Sequence, residues 1–258
     1  MRGRAGIAMF ALVALFCLLT PMLSGYDPQL PDLERALLPP DAAYWLGTDQ
    51  LGRDLLTRTA TAGRTSLLFA LAVTAVTTAL GTTFGAAAGL AGGMPDRLLR
   101  FAATVALALP GLTLALALAG VLRPGYVTVL IALVPLGWVS CGLVARTATR
   151  RVASADHVLA VRAIGASPLY LLRRTIVPHI AGPVLTVATA DFSRTLIAVT
   201  SLSFLGIGLP PPDTDWGGMV SEATPLLVAT PRLAIVPALA LAVTGLAVTL
   251  VVDARREP

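Results

Sequence analysis

Six stretches of this chain run for about twenty residues or more almost without charge, which is the length a helix needs to cross a bilayer. They are Ala5–Tyr26, Thr65–Pro95, Phe101–Leu122, Pro124–Ala145, a run from near Ile180 to around Leu205, and Leu233–Val252. The fifth is interrupted by Asp191 and Arg194. A segment in lipid must satisfy its own backbone N–H and C=O groups, so each run is predicted to be helical. The chain is therefore predicted to be an all-α, polytopic membrane protein with six transmembrane helices. The second run is longer than a crossing requires, which predicts tilt or extension beyond the bilayer. Composition agrees: 13% of the residues are charged, against about 25% in soluble domains.

All 19 basic residues are arginine, and the chain has no lysine. That excludes a P-loop, whose lysine reaches the β- and γ-phosphates of a bound nucleotide. Any ATP that drives this protein must bind another polypeptide. The net charge of +5 does not predict a nucleic-acid partner, because the arginines gather at the ends of apolar runs, as topology requires. With the N-terminus inside, the cytoplasmic side receives Arg2, Arg4, Arg97, Arg100, Arg146, Arg150, Arg151, Arg162, Arg173, Arg174, Arg255 and Arg256. The outer side receives Arg35, Arg53, Arg58, Arg64, Arg123 and Arg232, and Arg194 is intramembrane. Twelve against six places both termini in the cytoplasm. The first run has the basic start of a signal peptide, but it is long and closes on no convincing small-x-small site, so a retained helix is predicted.

Between the fourth and fifth runs lies a polar, cationic island, residues 156–178. Asp156 to Ile164 reads as a short helix, and Gly165 supplies the backbone freedom that a helix end wants. Ser167 is a good N-cap and Pro168 fits the first position of a second helix. Pro178 is predicted to break the path just before the fifth span. A bent helix–glycine–helix of this kind on the cytoplasmic side is suited to a groove in another protein, whereas the plainer reading is an interfacial loop with snorkelling arginines.

The order of residues here resembles the EAA loop of ABC importer permeases. Leu159-Ala160-Val161, Arg162-Ala163-Ile164-Gly165-Ala166-Ser167 and Ile176-Val177-Pro178 carry the resemblance. Ala160, Gly165 and Pro178 match the pattern; Leu159 replaces its glutamate and Val161 its second alanine. Two more stretches resemble the dipeptide/oligopeptide/nickel branch of that family. They are Trp45-Leu46-Gly47-Thr48-Asp49-Gln50-Leu51-Gly52-Arg53-Asp54, and Ser201-Leu202-Ser203-Phe204-Leu205-Gly206-Ile207-Gly208-Leu209 with Pro211-Pro212 and Trp216-Gly217. The resemblance covers roughly residues 44–253.

It implies a type I importer permease of the bacterial plasma membrane, not itself an enzyme. The expected partners are a second homologous permease, two ATP-binding subunits, an extracytoplasmic solute-binding protein and the lipid bilayer. It implies coupling to the ATPase through Ala160, Arg162, Ala163, Gly165, Ala166, Ser167 and Pro168. The chain divides into a first helix at 1–26, an extracytoplasmic segment at 27–64 with the LGTDxLGRD motif, and a five-helix core at 65–253 with the coupling loop at 150–179. The solute would be a peptide or related small molecule, with nickel or a metal chelate as the alternative. Two other classes are a secondary transporter, whose paired broken helices and inverted repeats are not visible, and a non-transporting scaffold for an ATPase.

Several residues carry a plain reading beside a sharper one. Gly81, Gly85 and Gly89 form a small-residue ridge, for packing within the bundle or against the second permease. Asp191 and Arg194 share one helical face; they either neutralise each other or line the translocation path. In the family an acid stands where this chain has Val199. Trp216 at an outer boundary suits interfacial anchoring. Asp49 and Asp54 read as turn and cap residues or as contacts with the binding protein. His157 and His179 read as interfacial surface, and Cys17 and Cys141 as buried free thiols. No catalytic residue, metal site or cofactor is predicted.

Overall fold

The computed structural model describes residues 2–119, 121, 125–210 and 212–254. The expectations on Leu122, Arg123, Pro124, Pro211, Arg255 and Arg256 lie outside the described residues, as do those on the side chains of His157 and Leu159. The described chain is helical throughout its ordered elements: α1 Arg2–Leu23, α2 Leu55–Ala91, α3 Gly93–Ala108, α4 Gly111–Ala119, α5 Tyr126–Gly137, α6 Val139–Ala153, α7 Asp156–Ala163, α8 Pro168–Tyr170, α9 Val177–Phe204, α10 Trp216–Ala223 and α11 Arg232–Ala254. The six predicted runs are mainly helical where they are described, with breaks inside the second and third. Among the described residues, four helical stretches are long and apolar enough to cross a membrane: Gly3–Leu23, Leu55–Ala91, Tyr126–Ala153 and Arg232–Ala254.

The helix ends follow local chemistry. Helix α2 begins ten residues before the predicted Thr65, because the Asp54 carboxylate caps it by accepting from the Thr57 backbone N–H at 2.8 Å. It stops at Gly92 and Gly93, both at positive φ (64° and 55°), which glycine alone adopts at little cost. Pro95 does not end α2 as predicted. It sits in the first turn of α3, where the missing N–H has no partner to lose. The third predicted span is broken into α3 and α4, because Pro110 holds the preceding Leu109 extended (φ −86°, ψ 127°). Threonines in the long helices return their hydroxyls to carbonyls one turn back, as from Thr189 to Leu185 at 2.7 Å and from Thr244 to Ala240 at 2.7 Å. Such bonds remove the cost of an unpaired hydroxyl in an apolar setting.

Two compact units divide the chain, residues 1–71, 115–129 and 196–258 in one, and residues 72–114 and 130–195 in the other. In the first, α1 packs along α11, and small residues make the approach close: a Cβ on Gly6 would lie 2.7 Å from the Ala247 carbonyl oxygen. Its core is Cys17, Leu55, Ala62, Trp216, Met219, Ala223, Leu233 and Ala234. Trp216 corrects the expectation of an interfacial anchor, since it is fully buried. Its indole N–H donates to the Thr59 carbonyl at 3.0 Å, and its backbone N–H donates to Ser66 Oγ at 3.0 Å. Gly63 leaves the space for the ring.

The second unit is organised by the glycine ridge. Gly81 faces the Trp138 carbonyl, Gly85 the backbone of Gly142, and Gly89 the Arg146 carbonyl, where an added Cβ would stand at 2.7 Å. The ridge thus packs internally, against α6. Ala86, Ala145, Ile176, Ile180 and Val184 form the adjoining core.

Candidate functional site

The island takes the bent form predicted for it, with one difference. Helix α7 closes in a double bond pattern: the Gly165 N–H donates to the Arg162 carbonyl at 3.0 Å and the Ala166 N–H to the Val161 carbonyl at 3.4 Å. This is the glycine-terminated helix end in which the residue after the cap turns left-handed, and Gly165 has φ +88°. Ser167 then caps α8, its Oγ accepting from the Tyr170 N–H at 3.2 Å, with Pro168 in the first turn. Pro178 does not break the path. Residues Leu171–Ile176 form a π-helical turn in which the Val177 N–H reaches back to the Leu172 carbonyl. The wider turn admits a residue with no N–H, and the helix continues unbroken into α9.

The island is rooted by one side and open on the other. Val158, Leu171 and Ile176 are buried, Ile176 in the core with Ala145 and Ala86. Ala160, Arg162, Ala163, Gly165, Ser167 and Pro168 are exposed, and Ala166 is half-buried. Around the glycine turn, Ile164 stands 85% exposed, with Leu169 and Tyr170 exposed beside it. The structure therefore places all seven predicted coupling residues on one segment, with exposed apolar side chains at its turn and exposed Arg162, Arg173 and Arg174 along it. His179 is exposed at the start of α9.

Asp191 and Arg194 are paired, with Arg194 Nη1 donating to Asp191 Oδ1 at 3.2 Å. They are not equivalent. The Asp191 side chain is 12% exposed and the Arg194 side chain 75% exposed. Asp191 turns inward, where Cys141 Sγ stands 3.8 Å from Oδ2 and 3.7 Å from Thr78 Oγ1.

Sequence reading missed two ionic clusters. In the LGTDxLGRD motif Asp49 is buried between Arg53 (2.7 Å) and Arg58 (2.8 Å), and Glu222 of α10 closes the set on Arg58 at 2.6 Å. Asp49 Oδ1 also accepts from the backbone N–H groups of Leu51 and Arg53, so its role is that of a turn residue with buried ion pairs. Gly47 and Gly52 hold positive φ of 75° and 77° in this turn. The second cluster surrounds Asp96 in the first turn of α3. Its carboxylate takes a two-pronged bond from Arg146, with Arg100 at 3.4 Å and Arg150 at 3.5 Å. The Arg146 hydrogen bond holds the Asp96 carboxyl below its ordinary range. The pattern was present in the sequence as Arg146 and Arg150, one turn apart and both cationic, but nothing local pointed them at residue 96. Among the described residues, no three His, Cys, Asp or Glu side chains are grouped to hold a metal.

The family model described as the binding-protein-dependent transport system inner membrane component matches residues 81–255, which include the glycine ridge and the whole island. The chain belongs to this family. It is 35% identical to the nickel transport system permease protein NikC of Escherichia coli (strain K12), covering 98% of this chain and 92% of that protein. It is 31% identical to the oligopeptide transport system permease protein OppC of Bacillus subtilis (strain 168), covering 98% and 83%. It is 32% identical to the di/tripeptide transport system permease protein DppC of Pseudomonas aeruginosa (strain UCBPP-PA14), covering 99% and 87%. The protein is thus a multi-pass membrane permease of an ABC importer, in the peptide and nickel group.

Proposed function

We propose that this permease forms half of the translocation path for peptides or related small solutes, the other half coming from a second homologous permease. Two separate ATP-binding subunits drive it, and an extracytoplasmic binding protein delivers the solute. ATP hydrolysis takes place on those partners. The chain crosses the plasma membrane six times with both termini inside, the count of arginines being the support for that orientation. Residues 156–178 seat in the ATPase subunit. When the ATPases close, the island moves and the helices rooted to it tilt, alternating access to the path.

The observation that carries this reading is the island itself: a glycine-terminated helix, a capped second helix and an exposed Ile164–Tyr170 tip on an otherwise membrane-length bundle. Exposed apolar side chains around a rigid turn are suited to a cleft in a partner. Arg194, exposed yet held by Asp191 from within, is suited to an aqueous path, since a bare charge facing lipid is costly.

The test is replacement of Gly165 by Leu in the assembled importer. A side chain at φ +88° is strained, and its bulk would alter the tip. Co-purification of the ATPase subunits and ATP-driven uptake of a labelled dipeptide should both fall, by tenfold or so for a strain and packing loss of about 1.4 kcal/mol. Unchanged docking and uptake would remove the coupling role. Docking without uptake of any solute by the unaltered complex would favour a scaffold for the ATPase. The 35% identity to a nickel permease supports a second solute reading, nickel or a metal chelate, and radiolabelled nickel in the same assay separates the two.

A further inference from the structure

The Asp96 cluster joins two helices that the island does not otherwise hold together. Helix α6 runs almost directly into the island, only Ser154 and Ala155 separating Ala153 from α7. Arg146 and Arg150 stand on successive turns of that helix, close to its end. Across from them, Asp96 is buried although its neighbours Arg97 and Leu98 are exposed. Arg146 Nη2 donates to Asp96 Oδ2 at 2.8 Å, and Arg146 Nε donates to Oδ1. A guanidinium and a carboxylate bonded through two prongs fix both separation and plane. The backbone joint from α2 to α3 is a pair of glycines, Gly92 and Gly93, both at positive φ, and a Cβ on either would meet nothing within 4 Å. Helix α3 is tied by its first turn to α6.

We propose that Asp96 is a positioning residue for transport, a latch that makes α3 travel with α6 when the island moves. This rests on the island being the point where ATPase motion enters. A static brace would need only contact, which apolar side chains supply. A fork of charge, with Arg100 and Arg150 ready at 3.4 and 3.5 Å, resists shear along the helix and keeps α3 in register through a stroke. Opening a path then involves α3 as well as the helices that enter and leave the island.

Spin labels at Leu98→Cys on α3 and Thr147→Cys on α6 would test this in the assembled importer, with Asp96 either intact or replaced by Asn. With Asp96 intact, the distance between the labels should hold to within about 2 Å on addition of ATP and vanadate, the size of ordinary helix shifts. With Asp96→Asn, it should change on the same addition. Solute moved per ATP hydrolysed should then fall about tenfold, while hydrolysis by the partner subunits stays within about twofold. If Asp96→Asn does not assemble, Arg146→Lys keeps the charge, removes the fork and should behave in the same way. A distance that changes with Asp96 intact overturns the latch, and so does a variant that keeps both distance and coupling. A separate label at Ile164→Cys reports whether the island responds to nucleotide at all. Its silence in the otherwise unaltered complex would overturn the coupling role of the island, and the latch with it, while the α3–α6 distances test the latch alone once the island responds.

Discussion

Asp49 and Asp96 are both carboxylates among arginines, and burial makes the two arrangements strict. Around Asp49, the Arg53 and Arg58 side chains are only 5% and 4% exposed. Two guanidinium groups in that setting need their counter-charge. Removing one partner of a buried pair costs about 3–5 kcal/mol, chiefly by stranding the other charge. Asp49→Ala should therefore lower the thermal midpoint of the purified permease in detergent by several degrees. Glu222→Gln, at a site one-third exposed, should cost about 1 kcal/mol or less. Equal midpoints for Asp49→Ala and the parent chain would contradict the buried-pair account. Asp54, five positions after Asp49, does the different work of capping α2. Their identity as turn and cap residues was legible from the sequence, because both functions are settled within four residues. The ion pairs to Arg53 and Arg58 were not, and Glu222 joins them from a position 164 residues from Arg58.

At the scale of elements, the glycine ridge of α2 shows how a periodic signal can be sound and still leave its partner open. Four-residue spacing predicts a flat helix face, and the helix face is there. Gly85 lies against the backbone of Gly142 so closely that any Cβ must push α2 and α6 apart. Gly85→Leu should cost about 1–3 kcal/mol, as overpacking generally does. It should also raise the susceptibility of the purified protein to limited proteolysis near residues 150–155, where α6 ends. Gly245→Leu, where nothing lies within 4 Å, is the matched control and should leave the cleavage pattern alone. The island illustrates the other side. Gly165, Ser167 and Pro168 act through hydrogen bonds to residues no more than five positions away, so its bend was readable in advance. A proline ordinarily stops an α-helix, and no local signal announces the π-helical turn that precedes Pro178.

For the whole molecule, topology is the prediction with the widest reach. Trp45 and Ile164 are both strongly exposed and fall on opposite sides of the membrane in the proposed orientation. A membrane-impermeant maleimide should label Trp45→Cys in right-side-out vesicles and Ile164→Cys in inverted ones. The reverse pattern would turn the molecule over and place the island outside, away from any cytoplasmic ATPase. Helical membrane character and the bent island were legible in the residues themselves, whereas the breaks at Gly92–Gly93 and Pro110 were not drawn from them. The membrane character follows from uncharged length and the bend from residue conformational limits, both of them local or compositional properties. Long-range packing settled that Trp216 is core rather than anchor, that the glycine ridge meets α6, that Asp191 turns toward Cys141 while Arg194 stands exposed, and that Asp96 is gripped by Arg146. Those outcomes depend on which distant segments are brought within a few ångströms, and hydropathy and spacing carry no record of that.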